Sequence, residues 1–461
     1  MATIEVAETL NGISRWMIAS EEFEPGCGWN YRFMQNLADD PGLNGGYLGK
    51  AICDTFYADC VDKNVAADVT MSLINLANID RLLEVYKKIG TEMFSKVSAD
   101  HNNFGLLVRA AIKAENYGGN NEWDGYINMV DLGDFTIKAE NAGLLEKYAS
   151  ELYAELNNCV AYQVKGKLIN GANGLSCYHS YNGDLGEFDR FAMLKGDHPF
   201  RWLYHYQLYQ SMPEDGITYM KSMEEKYGFE PHDAPPFEIT DAGLNRARPY
   251  IATEDGELVA ELDIGHDESE ELVAVHINLI CPCGKSGALT IFGTDYLVHD
   301  NWENGTFYDS FSTNWAALDG VFLYLEVKEL TDHNILYDVP ILLNGERYTL
   351  IVGYLFESGE YEIEGARHVL SENGVLTKEL HKLAVGDVIE PVFHRVDAEG
   401  IGEWEPTGIL TVKENTCIED KPLPDGKYYL TFTMTDILER DHTTDAMEVR
   451  IKGGRVYYSQ T

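Results

Sequence analysis

The spacing of apolar residues changes once along this chain, and that change limits what it can fold into. Through residue 235 the apolar residues recur at helical spacing, broken by short strand-like runs. Tyr47, Leu48, Ala51, Ile52, Thr55 and Phe56 define one amphipathic helix. Ile79, Leu82, Leu83, Tyr86 and Ile89 define a second, and Phe104, Leu107, Val108, Ala111 and Ile112 a third. Leu144, Leu145, Tyr148, Leu152 and Leu156 predict one long helix over 142–158. Between these helices Trp16–Ala19, Asp68–Asn75, Val160–Val164 and Gly174–Tyr178 read as strands. Helices alternating with strands predict an α/β layer with a mainly parallel sheet.

The stretch Pro231-His232-Asp233-Ala234-Pro235-Pro236 breaks every pattern and reads as a linker, although aromatic helical sequence runs from Tyr204 to Tyr227 just before it. Beyond it the period drops to two. Leu258, Ala260, Leu262 and Ile264 alternate, as do Val273, Val275, Ile277 and Leu279, and later Tyr428, Leu430, Phe432 and Met434. Asn344-Gly345 between two apolar runs is a hairpin signal. Further turn signals stand at Asn304-Gly305, Asp319-Gly320, Asn373-Gly374 and Asp425-Gly426. The expected division is therefore an α/β domain over 1–235 and an all-β sandwich or barrel over 236–461.

Charge narrows the partners. The 461 residues include 76 Asp plus Glu against 35 Lys plus Arg, a net charge of −41. A field of that sign repels phosphate backbones and anionic lipid, which argues against nucleic acid and membrane surfaces as partners. It favours cations and basic peptides, or serves as a solvated surface. No apolar run reaches the roughly 18 residues of a membrane helix. Met1-Ala2-Thr3-Ile4-Glu5 shows no signal peptide, having neither a basic region nor an apolar core. The eight cysteines are dispersed and make no dense disulfide framework.

Met1, Ile4, Ala7 and Leu10 have helical spacing from the first residue, with no expected cap ahead of them. The chain reads as if it began inside an element. Next, the buried strand Trp16–Ala19 runs into Ser20-Glu21-Glu22-Phe23-Glu24-Pro25-Gly26-Cys27-Gly28-Trp29. A strand ending in polar residues suits a ligand site in an open α/β sheet, and it equally suits a solvated loop.

Other motifs carry less. Cys281-Pro282-Cys283, with His266 and His276 upstream, lacks the second pair of a structural zinc site. No phosphate loop or dinucleotide fingerprint is present. Asp255-Gly256 and Asp267-Glu268-Ser269-Glu270-Glu271 could attract calcium, but no loop has EF-hand spacing, so no cofactor is expected. Cys27, beside three carboxylates, is a poor nucleophile. Cys177 and His179 are two apart on a strand, so a dyad is conceivable there, as is a packed strand with a satisfied histidine.

Met1-Ala2-Thr3-Ile4-Glu5-Val6-Ala7, Ala19-Ser20-Glu21-Glu22 and Pro25-Gly26-Cys27-Gly28-Trp29-Asn30-Tyr31 together resemble the clostripain family of cysteine peptidases. That family groups with caspases, legumain and gingipains and shares their α/β sandwich. Gly174-Leu175-Ser176-Cys177-Tyr178 resembles a later family segment. Tyr337-Asp338-Val339-Pro340-Ile341-Leu342-Leu343-Asn344-Gly345-Glu346 resembles the β-rich extension of some bacterial members. The family pattern has Asp-Ala-Cys-Leu-Met before its helix. The resemblance thus puts the catalytic Cys just ahead of Met1, the His further upstream, and the first strands of the sheet with them. No catalytic residue carries over, and a truncated, inactive portion of a peptidase is expected. The resemblance further implies secretion or a cell-surface location, and protein substrates cut after Arg or Lys. Ser20, Glu21 and Glu22, with Glu24 and Trp29, are the expected wall of a pocket for that basic side chain. A non-catalytic module binding peptide or glycan is the competing reading.

Overall fold

The computed structural model describes the chain apart from residues 26–27, 64, 101–102, 122–124, 181–184, 195–197, 205–246, 255–256, 284–287, 298, 331–333, 370–375, 398–401, 437–439 and 459–461. The 231–236 linker, the helix expected beyond Tyr204, Cys27, Asp255-Gly256 and Asn373-Gly374 lie outside the described residues. The chain divides into two compact units, Met1–Glu238 and Ile239–Thr461.

The first unit is mixed α/β. Its described elements begin with α1 (Ile4–Leu10), β1 (Trp16–Ala19), α2 (Phe33–Asp39), α3 (Gly45–Asp62), β2 (Thr70–Asn75), α4 (Ile79–Ala99) and α5 (Asn103–Ile112). Two short strands, β3 (Asn120–Asn121) and β4 (Gly125–Tyr126), precede β5 (Met129–Asp131), α6 (Leu132–Asn141), α7 (Ala149–Cys159), β6 (Val160–Lys165), β7 (Ser176–Tyr178) and α8 (Leu185–Leu194). One sheet has the order β1-β2-β6, and β5 pairs with β7 in another.

Three expectations need correction. The sheet is not mainly parallel, because β1–β2, β2–β6 and β5–β7 are all antiparallel. β2 begins beside the end of β1, with Ser72 opposite Ala19, so the chain re-enters the sheet at the end it left. The helix expected over 142–158 is shorter: α7 occupies only Ala149–Cys159, after α6 has ended at Asn141. Between them Gly143 adopts φ +79° and its N–H bonds to the Glu140 carbonyl, while Leu144 N–H reaches Ala139 O, a C-terminal stop. The first helix does have a cap. Thr3 is extended, and its Oγ1 accepts the Val6 N–H at 3.2 Å, so α1 starts at Ile4.

Residues 2 and 3 also join the two sheets. Ala2 N–H donates to Ser20 O at 2.6 Å, Ser176 N–H donates to Ala2 O at 2.9 Å, and Thr3 bridges Ser176 in parallel. Cys53, Phe56 and Cys60 of α3 bury one face against Met71 and Leu73 of β2, with Trp16, Ile18 and Trp29 packed alongside. On α4, Leu82, Tyr86, Ile89, Met93 and Val97 are fully buried. Each such apolar side chain contributes roughly 1.5–3 kcal/mol by leaving water. This core fixes where β1 ends, and therefore where the loop after it begins.

The second unit is β-rich. Its pairings link 14 strands into one continuous sheet, beside a four-stranded and a three-stranded sheet. The alternating positions turn inward: Tyr428, Leu430, Phe432 and Met434 are all nearly inaccessible and share one core with Leu262, Ile277 and Val339. Asn344 (φ +53°) and Gly345 (φ +88°) form the two-residue turn between strands Asn334–Leu343 and Glu346–Leu355. Asp319 (φ +45°) and Gly320 (φ +84°) repeat that turn between Leu318 and Val321.

Candidate functional site

The loop leaving β1 is shaped by the strand beside it. Ala19 stands opposite Ser72 in the antiparallel pair, so continuing the register brings Glu21 to Thr70. Thr70 Oγ1 accepts the N–H of Glu21 at 2.9 Å and of Glu22 at 3.2 Å. A hydroxyl oxygen accepts two such bonds, which leaves its own proton for Ser20 Oγ at 3.0 Å. Ser20 and Thr70 are both buried.

Past that anchor the loop's glutamates separate. Glu21, expected in a pocket wall, is fully buried, and so is Asp131 at the end of β5. Glu21 Oε1 accepts the Gly174 N–H at 3.0 Å, and Oε2 accepts Gln163 Nε2 at 2.9 Å. The Tyr117 hydroxyl lies 3.2 Å from Glu21 Oε1 and 3.1 Å from Asp131 Oδ2. Asp131 caps α6 by accepting the Asp134 N–H at 2.8 Å, and it also takes the Asn173 N–H at 2.7 Å and Asn173 Nδ2 at 2.9 Å. The two carboxyls thus converge on one phenol. Burial first, and then the negative charge of Asp131, holds the Glu21 carboxyl well above the usual range. Burial raises Asp131 as well, against the donors that favour its charge. Ser20 and Glu21 are therefore inside the first unit.

Glu22 and Glu24 face outward. Glu22 is half-buried; its Oε2 accepts the Gly118 N–H at 3.0 Å and its Oε1 the Phe23 N–H at 2.6 Å. The Phe23 ring lies against Gly118, where an added Cβ would come within 2.7 Å of Cε2. Glu24 is exposed and accepts a hydrogen bond from the Trp29 indole N–H. Trp29 is half-buried and meets Phe33 edge-on at 6.5 Å. The rim of the loop thus carries two carboxylates next to an indole.

Nucleophiles fare poorly. Cys177 is fully buried; its thiol is pushed up by burial and by the nearby charges of Glu5 and Asp131. Burial lowers His179 to about 3, and its ring packs between Phe135 and Tyr204 at 5.3 Å from each. A protonated thiol beside a neutral imidazole in a closed core is not a catalytic dyad. Burial also raises Cys53 and Cys159 to about 12. Among the described residues no group of three or more His, Cys, Asp or Glu side chains is placed to hold a metal ion. No described helix is long and apolar enough to cross a membrane. A cavity of about 570 Å³ on α4, lined by Lys88, Glu92, Lys96 and Tyr148, shares no residue with the loop.

Sequence reasoning found the loop but missed what anchors it. Asp131 was legible as a helix start, since an Asp before an apolar-spaced segment is a cap signal. Thr70, Tyr117, Gln163 and Asn173 carry no local signal that ties them to residue 21.

The clostripain family model matches residues 1–183. A solved clostripain from Bacteroides thetaiotaomicron, in complex with a peptide inhibitor, is similar over 44% of this chain and 81% of its own, at 15% identity and a TM-score of 0.28. No curated protein matches the chain.

Proposed function

We propose that this chain, whose residues 1–183 are clostripain-family sequence, contributes the substrate-receiving part of a cysteine endopeptidase. The family match carries the reading. Its framework is a partial caspase-like α/β sandwich within 1–235, and 236–461 is a separate β-rich domain. The resemblance assigns the nucleophile and base to a segment ahead of the shared motif. The buried, high-pKa state of Cys53, Cys159 and Cys177 supports the view that none of them replaces that nucleophile.

The substrate is a peptide with Arg or Lys before the cut, and the protein acts outside the cell or on its surface. Glu22 and Glu24 support this preference, since outward carboxylates pair with a guanidinium or ammonium through charge-assisted hydrogen bonds. The indole of Trp29 offers the aliphatic stem of such a side chain an apolar face.

Two assays on the chain as it stands test this reading. Fluorescent peptides differing only in Arg, Lys, norleucine or Glu at one position should bind in the order basic, neutral, acidic, with the difference shrinking at high salt. Equal binding by all four would sink the preference. A fluorogenic Arg peptide should not be turned over; thiol-sensitive cleavage abolished by Cys177→Ala or Cys27→Ala would contradict the reading.

A further inference from the structure

The arrangement around Glu21 raises a question of proton counting. Two carboxyls, both inaccessible to solvent, converge on one phenol. The described donors to both are neutral: backbone and side-chain amides and Tyr117. A phenol has one proton, so it can donate to only one of the two carboxyls. The carboxyl it does not serve lies within hydrogen-bond distance of the phenol oxygen, and that contact needs a second proton. Two like charges in a dry site with neutral partners cannot both ionise at ordinary pH.

The proton has a preferred owner. Asp131 gathers the Asp134 N–H, the Asn173 N–H, Asn173 Nδ2 and the Tyr117 hydroxyl, and it sits at the N-terminus of α6, where an anion is stabilised. Glu21 has only the Gly174 N–H and Gln163 Nε2 besides the shared phenol. The stronger set of donors holds the charge, so the proton resides on Glu21.

We propose that Glu21 is a positioning residue that works as a neutral acid: the proton it keeps beside Tyr117 and Asp131 latches the loop 20–24 to the turn 171–174. The latch spans the unit, since Glu21 follows β1, Asp131 ends β5, Gln163 lies on β6, and Gly174 precedes β7. It fixes the segment from which Glu22 and Glu24 project, so it deepens the reading of that rim as a peptide-binding element. Other ionisable groups face the pair. Glu115 and Asp134 add negative charge around Tyr117 and the 171–174 turn, and Cys177 lies on the β7 side. Lys165, on β6, donates to the carbonyls of Asn170 and Ala172 at 2.7 and 2.8 Å and steadies the same turn without bonding to either acid.

The sign follows from the raised value in the folded state. When the latch opens, Glu21 ionises as an ordinary carboxylate; when closed, it keeps its proton. The closed state is therefore favoured fully below the ordinary value of 4.5 and loses ground as pH rises from there toward the folded value. Within that window each pH unit shifts the open population by roughly tenfold.

Amide hydrogen exchange on the full chain tests this. After correction for intrinsic base catalysis, protection of the Glu21, Glu22, Asn173 and Gly174 amides should fall as pH rises above the ordinary carboxylate range, by up to roughly tenfold per unit until the folded value is reached. Glu21→Gln should flatten that slope, because an amide carries no titrating proton. Constant wild-type protection, or the same slope in the variant, would overturn the proposal. If Glu21→Gln does not fold, carbon-13 titration of the Glu21 carboxyl in the wild type decides. An inflection well above the ordinary value of about 4.3 supports the latch, and one at that value removes it. Neither readout involves peptide, so failure of the basic-residue preference and failure of the latch are told apart.

Discussion

Two segments leave a buried strand and turn sharply, and they are held in opposite ways. The turn at Asn344-Gly345 is held by its own two residues, both with positive φ, and by the register of the strands it joins. The loop after β1 is held by Thr70, Tyr117, Asp131, Gln163 and Gly174, which come from as far as 153 positions away in sequence. Local chemistry shapes the first and a long-range polar network shapes the second. A fold can therefore build a hairpin almost anywhere, whereas the 20–24 loop exists only where the whole first unit has closed around it.

Substitutions can break this contrast, and the largest effect belongs to the network. Asp131→Ala removes the cap of α6 and strands the Asn173 and Asp134 N–H groups. It should cost about 3 kcal/mol, read as a shift in the urea transition of the first unit. Gly345→Ala puts a Cβ at φ +88° and should cost about 1 kcal/mol, confined to the transition of the β-rich unit. If Gly345→Ala cost more than Asp131→Ala, the contrast would fail. Replacing Glu22 and Glu24 together by Gln should be the mildest for folding, within about 0.5 kcal/mol, since neutral donors can still bond to an amide oxygen.

The same contrast explains how much of the molecule was legible in the sequence. Period-two alternation and Asn-Gly pairs act over a few residues, so the β-rich unit and its turns could be read directly. So could most helices of the first unit, though the one expected from residue 142 starts only at Ala149, past the αL turn at Gly143. Strand direction was misread because it depends on the end of the sheet at which the chain returns, which no local pattern records. Thr3 was overlooked as a cap because the helical spacing was counted from Met1. Within the site, Ser20, Glu21, Glu22 and Glu24 look alike in sequence. Only the register of β1 on β2 turns the first two inward, and no local pattern announces it.

That inward and outward division is the centre of the account: Glu21 is buried in the loop's anchor, while Glu22 and Glu24 are the residues proposed to meet a basic side chain. The most direct test measures the binding of an Arg peptide and its norleucine counterpart to the wild type and to the Glu22→Gln, Glu24→Gln double variant, at low salt and mildly acidic pH. The account predicts that the wild type prefers the Arg peptide, and that the double variant loses roughly two- to fivefold of that preference while melting at the wild-type temperature. A double variant that keeps the full preference for Arg would contradict it.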